Sequence, residues 1–125
     1  MDELLQGSST ILLNTCSEEK YMITHHKCTN AARIITDILK ANKCILPVVS
    51  VTDKGYVDLT WYKKLYCTIE YTEGQLECLI TSVLGPNFRD VVTETIIIED
   101  SDGDEINKCS IDTICSKIIV IITMN

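Results

Sequence analysis

The chain is poor in the residues that usually announce chemistry. Its five glycines, Gly7, Gly55, Gly74, Gly85 and Gly103, are isolated from one another, so no P-loop, no GxGxxG and no GxSxG elbow can be drawn. Two histidines are present, the adjacent His25 and His26, and any base-assisted nucleophile has to be built around that one place. Lys and Arg number 11 against 18 Asp and Glu, a formal charge of -7. That balance argues against a general nucleic-acid binder and against docking on anionic lipid, both of which need clustered cations. No run approaches the roughly 20 apolar residues that span a bilayer, and Met1-Asp2-Glu3 reverses the basic start of a secretory signal. The expectation is a soluble cytoplasmic protein, in the host cytoplasm if virus-encoded, for which basic partners remain open.

What is present suffices for a core. Of 125 residues 46% are hydrophobic, which makes a single domain over residues 1–125 the expected organisation. Seven cysteines in a short chain raise the question of a disulfide scaffold. They are dispersed, odd in number and without a CxxC pair, and Ile, Leu and Val are plentiful. Most therefore read as small apolar core residues.

Residues 1–16 carry an apolar patch, Ile11-Leu12-Leu13, but no sustained period, and are expected to be mostly irregular with a short strand at most. From Ser17, a candidate N-cap followed by Glu18 and Glu19, to about Asn42 the signal is helical, with Thr29 as a second candidate start. Cys28, Ala31, Ala32, Ile35, Ile38 and Leu39 recur at three- and four-residue steps.

After Pro47 the period becomes two. Val49 and Val51 open a strand, and Val57, Leu59 and Trp61 alternate with Tyr56, Asp58 and Thr60 across an Asp53-Lys54-Gly55 turn. Leu65, Cys67, Ile69 and Tyr71, then Leu76, Cys78 and Ile80, repeat the pattern on either side of Thr72-Glu73-Gly74. Gly85-Pro86-Asn87 precedes one more strand at 91–99. Toward the C-terminus, Ile111, Ile114, Cys115, Ile118 and Ile122 form a helical stripe behind a Ser110 cap, although Ile118 to Ile122 also suits a strand; helix is preferred. The fold class is α+β: an antiparallel meander of about five strands, covered on one face by an N-terminal helix and a C-terminal helix.

A helix leading into Pro47-Val-Val-Ser-Val-Thr-Asp-Lys-Gly-Tyr-Val-Asp-Leu-Thr-Trp61, with Glu73-Gly74 at a second turn, resembles a family of small uncharacterised prokaryotic and mobile-element proteins. Their pattern is P-x-V-x-P-T-x-D-G-G-V-x-L-E-W. The resemblance covers residues 29–80; Val51 stands where the pattern has its second Pro, Lys54 where it has its first Gly when the D-G-G turn is set on Asp53-Lys54-Gly55, and Thr60 where it has Glu. Its shared positions are turn and core residues, so it implies a fold and attaches no chemistry.

Several clusters have the residue types of a site. His25, His26 and Cys28 are of zinc-ligand type, yet adjacent helix residues diverge by about 100 degrees and no second ligand pair follows. The run Glu99-Asp100-Ser101-Asp102-Gly103-Asp104-Glu105 starts like a calcium loop, but Glu105 occupies the position that needs Gly and Ile111 the one that needs Glu. No metal, cofactor or catalytic set is expected. With the charge divided as -1 for residues 1–62 and -6 for 63–125, the acidic run is the expected sticky surface. Tyr56, Trp61, Tyr62, Tyr66 and Tyr71 place five of seven aromatics in one stretch. Trp61 and Tyr71 fall on the apolar phase, Tyr56 and Tyr66 opposite it, where tyrosines serve as partner anchors.

The expected function is non-catalytic binding of a protein through Tyr56, Asp58, Tyr66, Glu70, Glu99, Asp100, Asp102, Asp104 and Glu105. An acidic inhibitor, antitoxin-like or anti-defence, of a mobile element or virus would present these carboxylates to a basic surface of its target. The alternatives are a small-ligand, nucleotide-like sequestering protein, with Tyr66 in a pocket between protomers, and, further behind, a small hydrolase. Homodimerisation is left open.

Overall fold

A computed structural model of the chain describes residues 2–62, 65–84, 90–98 and 106–123. Its elements are α1 (Asp2–Ala41), β1 (Val48–Val51), β2 (Val57–Trp61), β3 (Leu65–Thr72), β4 (Gln75–Leu84), β5 (Asp90–Ile98) and α2 (Lys108–Thr123). The strands form one antiparallel sheet in the order β1-β2-β3-β4-β5, the α+β meander that the alternating pattern predicts.

The pleat sorts the strand residues by face. Register pairs Val57 with Ile69, Leu59 with Cys67, Ile69 with Cys78 and Cys78 with Ile96, so these side chains share the inner side. Both helices lie there. α1 packs through Cys28, Ala31, Ile35 and Leu39 on β2 and β3, and α2 packs through Ile111, Ile114, Cys115 and Ile118 on β4 and β5. The Cys115 thiol donates to the Ile35 carbonyl at 3.9 Å, which joins the helices. Ile35 is fully buried in this cluster, and truncating such a residue to Ala costs about 2–5 kcal/mol.

Two local expectations are corrected. Residues 2–16 continue α1 instead of forming irregular chain or a strand. Between Asp2 and Ala41 there is no proline, and once a helix is nucleated each further residue adds a hydrogen bond without needing an apolar stripe. Ser17 and Thr29 are consequently interior helix residues, not caps. The cap of α2 is Asn107 and not Ser110: the Asn107 side-chain carbonyl accepts from the Ser110 N–H at 3.0 Å. Ser110 sits at the third helical position, where its own N–H needs that acceptor. The C-terminal segment itself is helical, as preferred, and its buried positions 111, 114, 115 and 118 are the helical stripe.

The end of α1 is built by backbone geometry. Lys43 adopts a left-handed φ of 58°, the Cys44 N–H donates to the Leu39 carbonyl, and the Lys43 N–H donates to the Lys40 carbonyl, both at 3.0 Å. This is the Schellman arrangement, with Lys where Gly is usual. Beyond it, the Trp61 indole N–H donates to the Ile45 carbonyl at 2.8 Å, and Trp61 is buried as the apolar phase predicts. At the β1–β2 turn Gly55 has φ 86°, and a Cβ there would meet the His25 nitrogen and the Tyr21 oxygen of α1 at 3.2 Å. The turn thus rests directly on the helix backbone.

Cys28, Cys67, Cys78 and Cys115 are buried, Cys44 is half-buried and Cys109 is exposed, all six as free thiols. The side chain of Cys16 lies outside the described residues.

Candidate functional site

The second face of the sheet has no helix on it among the described residues. Register sets Ser50, Asp58, Thr68, Leu79 and Thr95 in one row across the strands, and Val48, Thr60, Tyr66, Thr81 and Thr93 in the next. A third row contains Glu70, Glu77 and Ile97, with Glu70 and Glu77 directly opposed on β3 and β4. Directly opposed side chains have Cβ atoms about 4.5–5.5 Å apart, and like charges so placed repel. No Lys or Arg stands on this face among the described residues. The surface is therefore a floor of hydroxyls interspersed with Val48, Leu79 and Ile97 and carrying three carboxylates, with the Thr81 and Thr93 hydroxyls hydrogen-bonded at 3.2 Å.

The expected anchors differ in how freely they stand. Tyr66 is exposed in the middle of this face. Tyr56, just before β2, is half-buried against the edge of the core, and its hydroxyl shares a 3.2 Å hydrogen bond with that of Thr72. Asp58 and Glu70 are partly exposed on neighbouring strands. Tyr71 is half-buried, with the Lys27 ammonium 6.0 Å from its ring centroid. Glu99, Asp100, Asp102, Asp104 and Glu105 lie outside the described residues. Glu77, absent from the expected set, completes the carboxylate group; the Gln75-Glu77 alternation was the signal that could have found it.

The histidine–cysteine cluster is not assembled. The His25 ring stacks on Tyr21, centroids 5.8 Å apart, and its Nδ1 lies 3.4 Å from the Thr29 hydroxyl. His26 is exposed, whereas Cys28 is wholly buried. Among the described residues no group of three or more His, Cys, Asp or Glu could hold a metal ion. The buried thiols are held neutral. Burial, then the charge of Glu70, pushes Cys28 up to about 12; burial, then Asp112, pushes Cys115 up to about 11. Cys67 is raised by its hydrogen bond with the Cys78 side chain and then by burial. A thiol so shifted is not a nucleophile at neutral pH.

An open cleft of about 890 Å3 lies where α1 meets the β1–β2 and β3–β4 turns. Tyr21, Lys54, Tyr56, Tyr71 and Glu73 are among its walls, so it offers aromatic faces together with charges of both signs.

Comparison with protein-family models, with curated proteins and with solved structures gave no match.

Proposed function

We propose that this protein is a non-catalytic binding module that docks the uncovered face of its sheet on a basic surface of a target protein. The observation that carries this reading is the set of carboxylates on one side of exposed Tyr66, Asp58 in the row next to it and the opposed Glu70–Glu77 pair in the row beyond, on a face without a described cation. Opposed carboxylates raise the energy of the free protein, and a cationic partner relieves them. Tyr66 supplies the amphipathic anchor common at the centre of interfaces. The charge of -7 and the resemblance of Pro47–Trp61 to mobile-element proteins favour an antitoxin-like or anti-defence inhibitor, which covers a cleft meant for nucleic acid.

The test is capture from the native host with the immobilised protein and with its Asp58→Asn/Glu70→Gln/Glu77→Gln variant. A basic protein retained by the parent at low salt, released by about 0.5 M salt and missed by the variant supports the reading. Equal capture by both proteins counts against it.

The cleft between α1 and the two turns favours one second reading, sequestering of a small ligand with an aromatic ring. Native mass spectrometry that finds only the bare chain mass would weigh against it.

A further inference from the structure

β1 (Val48–Val51) is one edge of the sheet, with β2 as its hydrogen-bonded neighbour on one side and, among the described residues, no strand on the other. From Cys44 to Thr52 the sequence has no charged residue, yet Ile45, Leu46, Val48, Val49 and Val51 are 47–72% exposed. Open edges of soluble proteins are commonly guarded by charged side chains, proline, shortness or cover. Here the guards are the four-residue length of β1 and Pro47 at its start. The opposite edge, β5, carries Asp90 and Glu94, and Glu94 is paired with Lys117 at 2.6 Å.

We propose that β1 is a self-association seam, pairing antiparallel with β1 of a second copy about a two-fold axis at Ser50. Residues directly opposed in an antiparallel pair share a face. With Ser50 opposite its own counterpart, Val49 of each copy meets Val51 of the other on the inner side, while the two serines meet on the outer side. The segment is thus complementary to itself, as an isologous contact requires. Charge points to the same occupant. A basic partner finds no carboxylate on this neutral strand, whereas two copies of an acidic chain meet here without opposing like charges. The antiparallel direction also lays the Asp53-Lys54 turn of each copy beside Leu46-Pro47 of the other, so each end of the seam carries one charge of each sign and no like pair is opposed. The inference does not depend on the proposed function, although a ten-stranded sheet would present the Asp58, Glu70 and Glu77 group twice on one continuous face.

A four-residue seam belongs with the smallest and weakest interfaces, so the assembly depends on concentration. Sedimentation velocity of the full chain from about 1 to about 300 µM spans that regime. The mass is expected to rise from one chain to two across the series, and Val49→Lys with Val51→Lys to hold it at one while the circular dichroism stays that of the parent. Ser50→Cys, placed in a parent whose Cys16, Cys44 and Cys109 are replaced by Ser, is expected to form a covalent dimer under mild oxidation that leaves that parent uncrosslinked; this second reading stands even where the double lysine variant fails to fold. A parent that remains a monomer throughout, a dimer that the lysines leave intact, or a Ser50→Cys protein that oxidises no further than the parent overturns the proposal.

Discussion

Glu70 on β3 and Glu77 on β4 stand directly opposite each other on the uncovered face of the sheet. A protein under selection for stability alone has little reason to keep two carboxylates in that relation. Cross-strand pairs contribute roughly 0.2–1 kcal/mol, with the sign reversed for like charges. Glu77→Gln is therefore expected to raise stability by about 0.5 kcal/mol, more at low salt than at high, and to weaken partner binding. Urea denaturation beside a binding assay checks both; a variant that is less stable, or equally stable at every salt concentration, contradicts the repulsion.

Lys43 holds the C-terminal turn of α1 in a left-handed conformation with φ 58° that glycine adopts at no steric cost. Its side chain is exposed, so Lys43→Gly removes little else. The expected gain is about 0.5–1 kcal/mol, read as a higher denaturation midpoint with unchanged slope.

Gly55 shows the opposite case. Its φ of 86° is a strained conformation for any side chain, and a Cβ added there would press on α1 backbone atoms at 3.2 Å. Gly55→Ala is expected to destabilise by about 1–3 kcal/mol, because the turn and the helix must move apart. Gly74 is a control, since its φ is 76° but nothing lies within 4 Å of an added Cβ. Substitution there carries the backbone strain alone and should cost less.

The buried thiols make stability fall in alkali. In the unfolded chain Cys28 and Cys115 lose their protons around the ordinary 9.0; in the folded protein they keep them up to about 12 and about 11. Above pH 9 the unfolded state binds fewer protons, so this contribution is complete below pH 9 and is lost as pH rises toward 11 to 12. The slope is at most about 1.4 kcal/mol per pH unit for each thiol. Denaturation midpoints between pH 8 and 10.5 should fall for the parent and fall less for Cys28→Ala/Cys115→Ala; parallel curves contradict the assignment.

Much of this fold is legible in the sequence because burial here is periodic. Val57, Leu59 and Trp61 need one face, and Ile111, Ile114, Cys115 and Ile118 need another period, which settles helix over strand for a segment whose Ile118 to Ile122 run suits either. Where no burial pattern operates the reading fails. The first turns of α1 have no periodic stripe, and helix there follows from uninterrupted propagation. Asn107 and Ser110 are comparable caps by side-chain chemistry, so the sequence does not choose between them; in the structure the helix begins one turn earlier, at Lys108, with the Asn107 side chain accepting from the Ser110 N–H. Tyr56 is outward by strand phase, yet the Gly55 turn resting on α1 draws it into half-burial. The carboxylate pair was half visible: alternation puts Glu70 and Glu77 on wet faces, but their direct opposition is a matter of register, which the β3–β4 turn sets in three dimensions.

Under the proposed function the carboxylate face docks on a cationic protein. The most direct measurement is calorimetric titration of the captured, purified partner into the parent and into Asp58→Asn/Glu70→Gln/Glu77→Gln, each across a salt series. Affinity is predicted to fall steeply with salt for the parent, and the variant to bind at least about tenfold more weakly with a shallower salt dependence. A complex indifferent to salt, with the same affinity for both proteins, would contradict it.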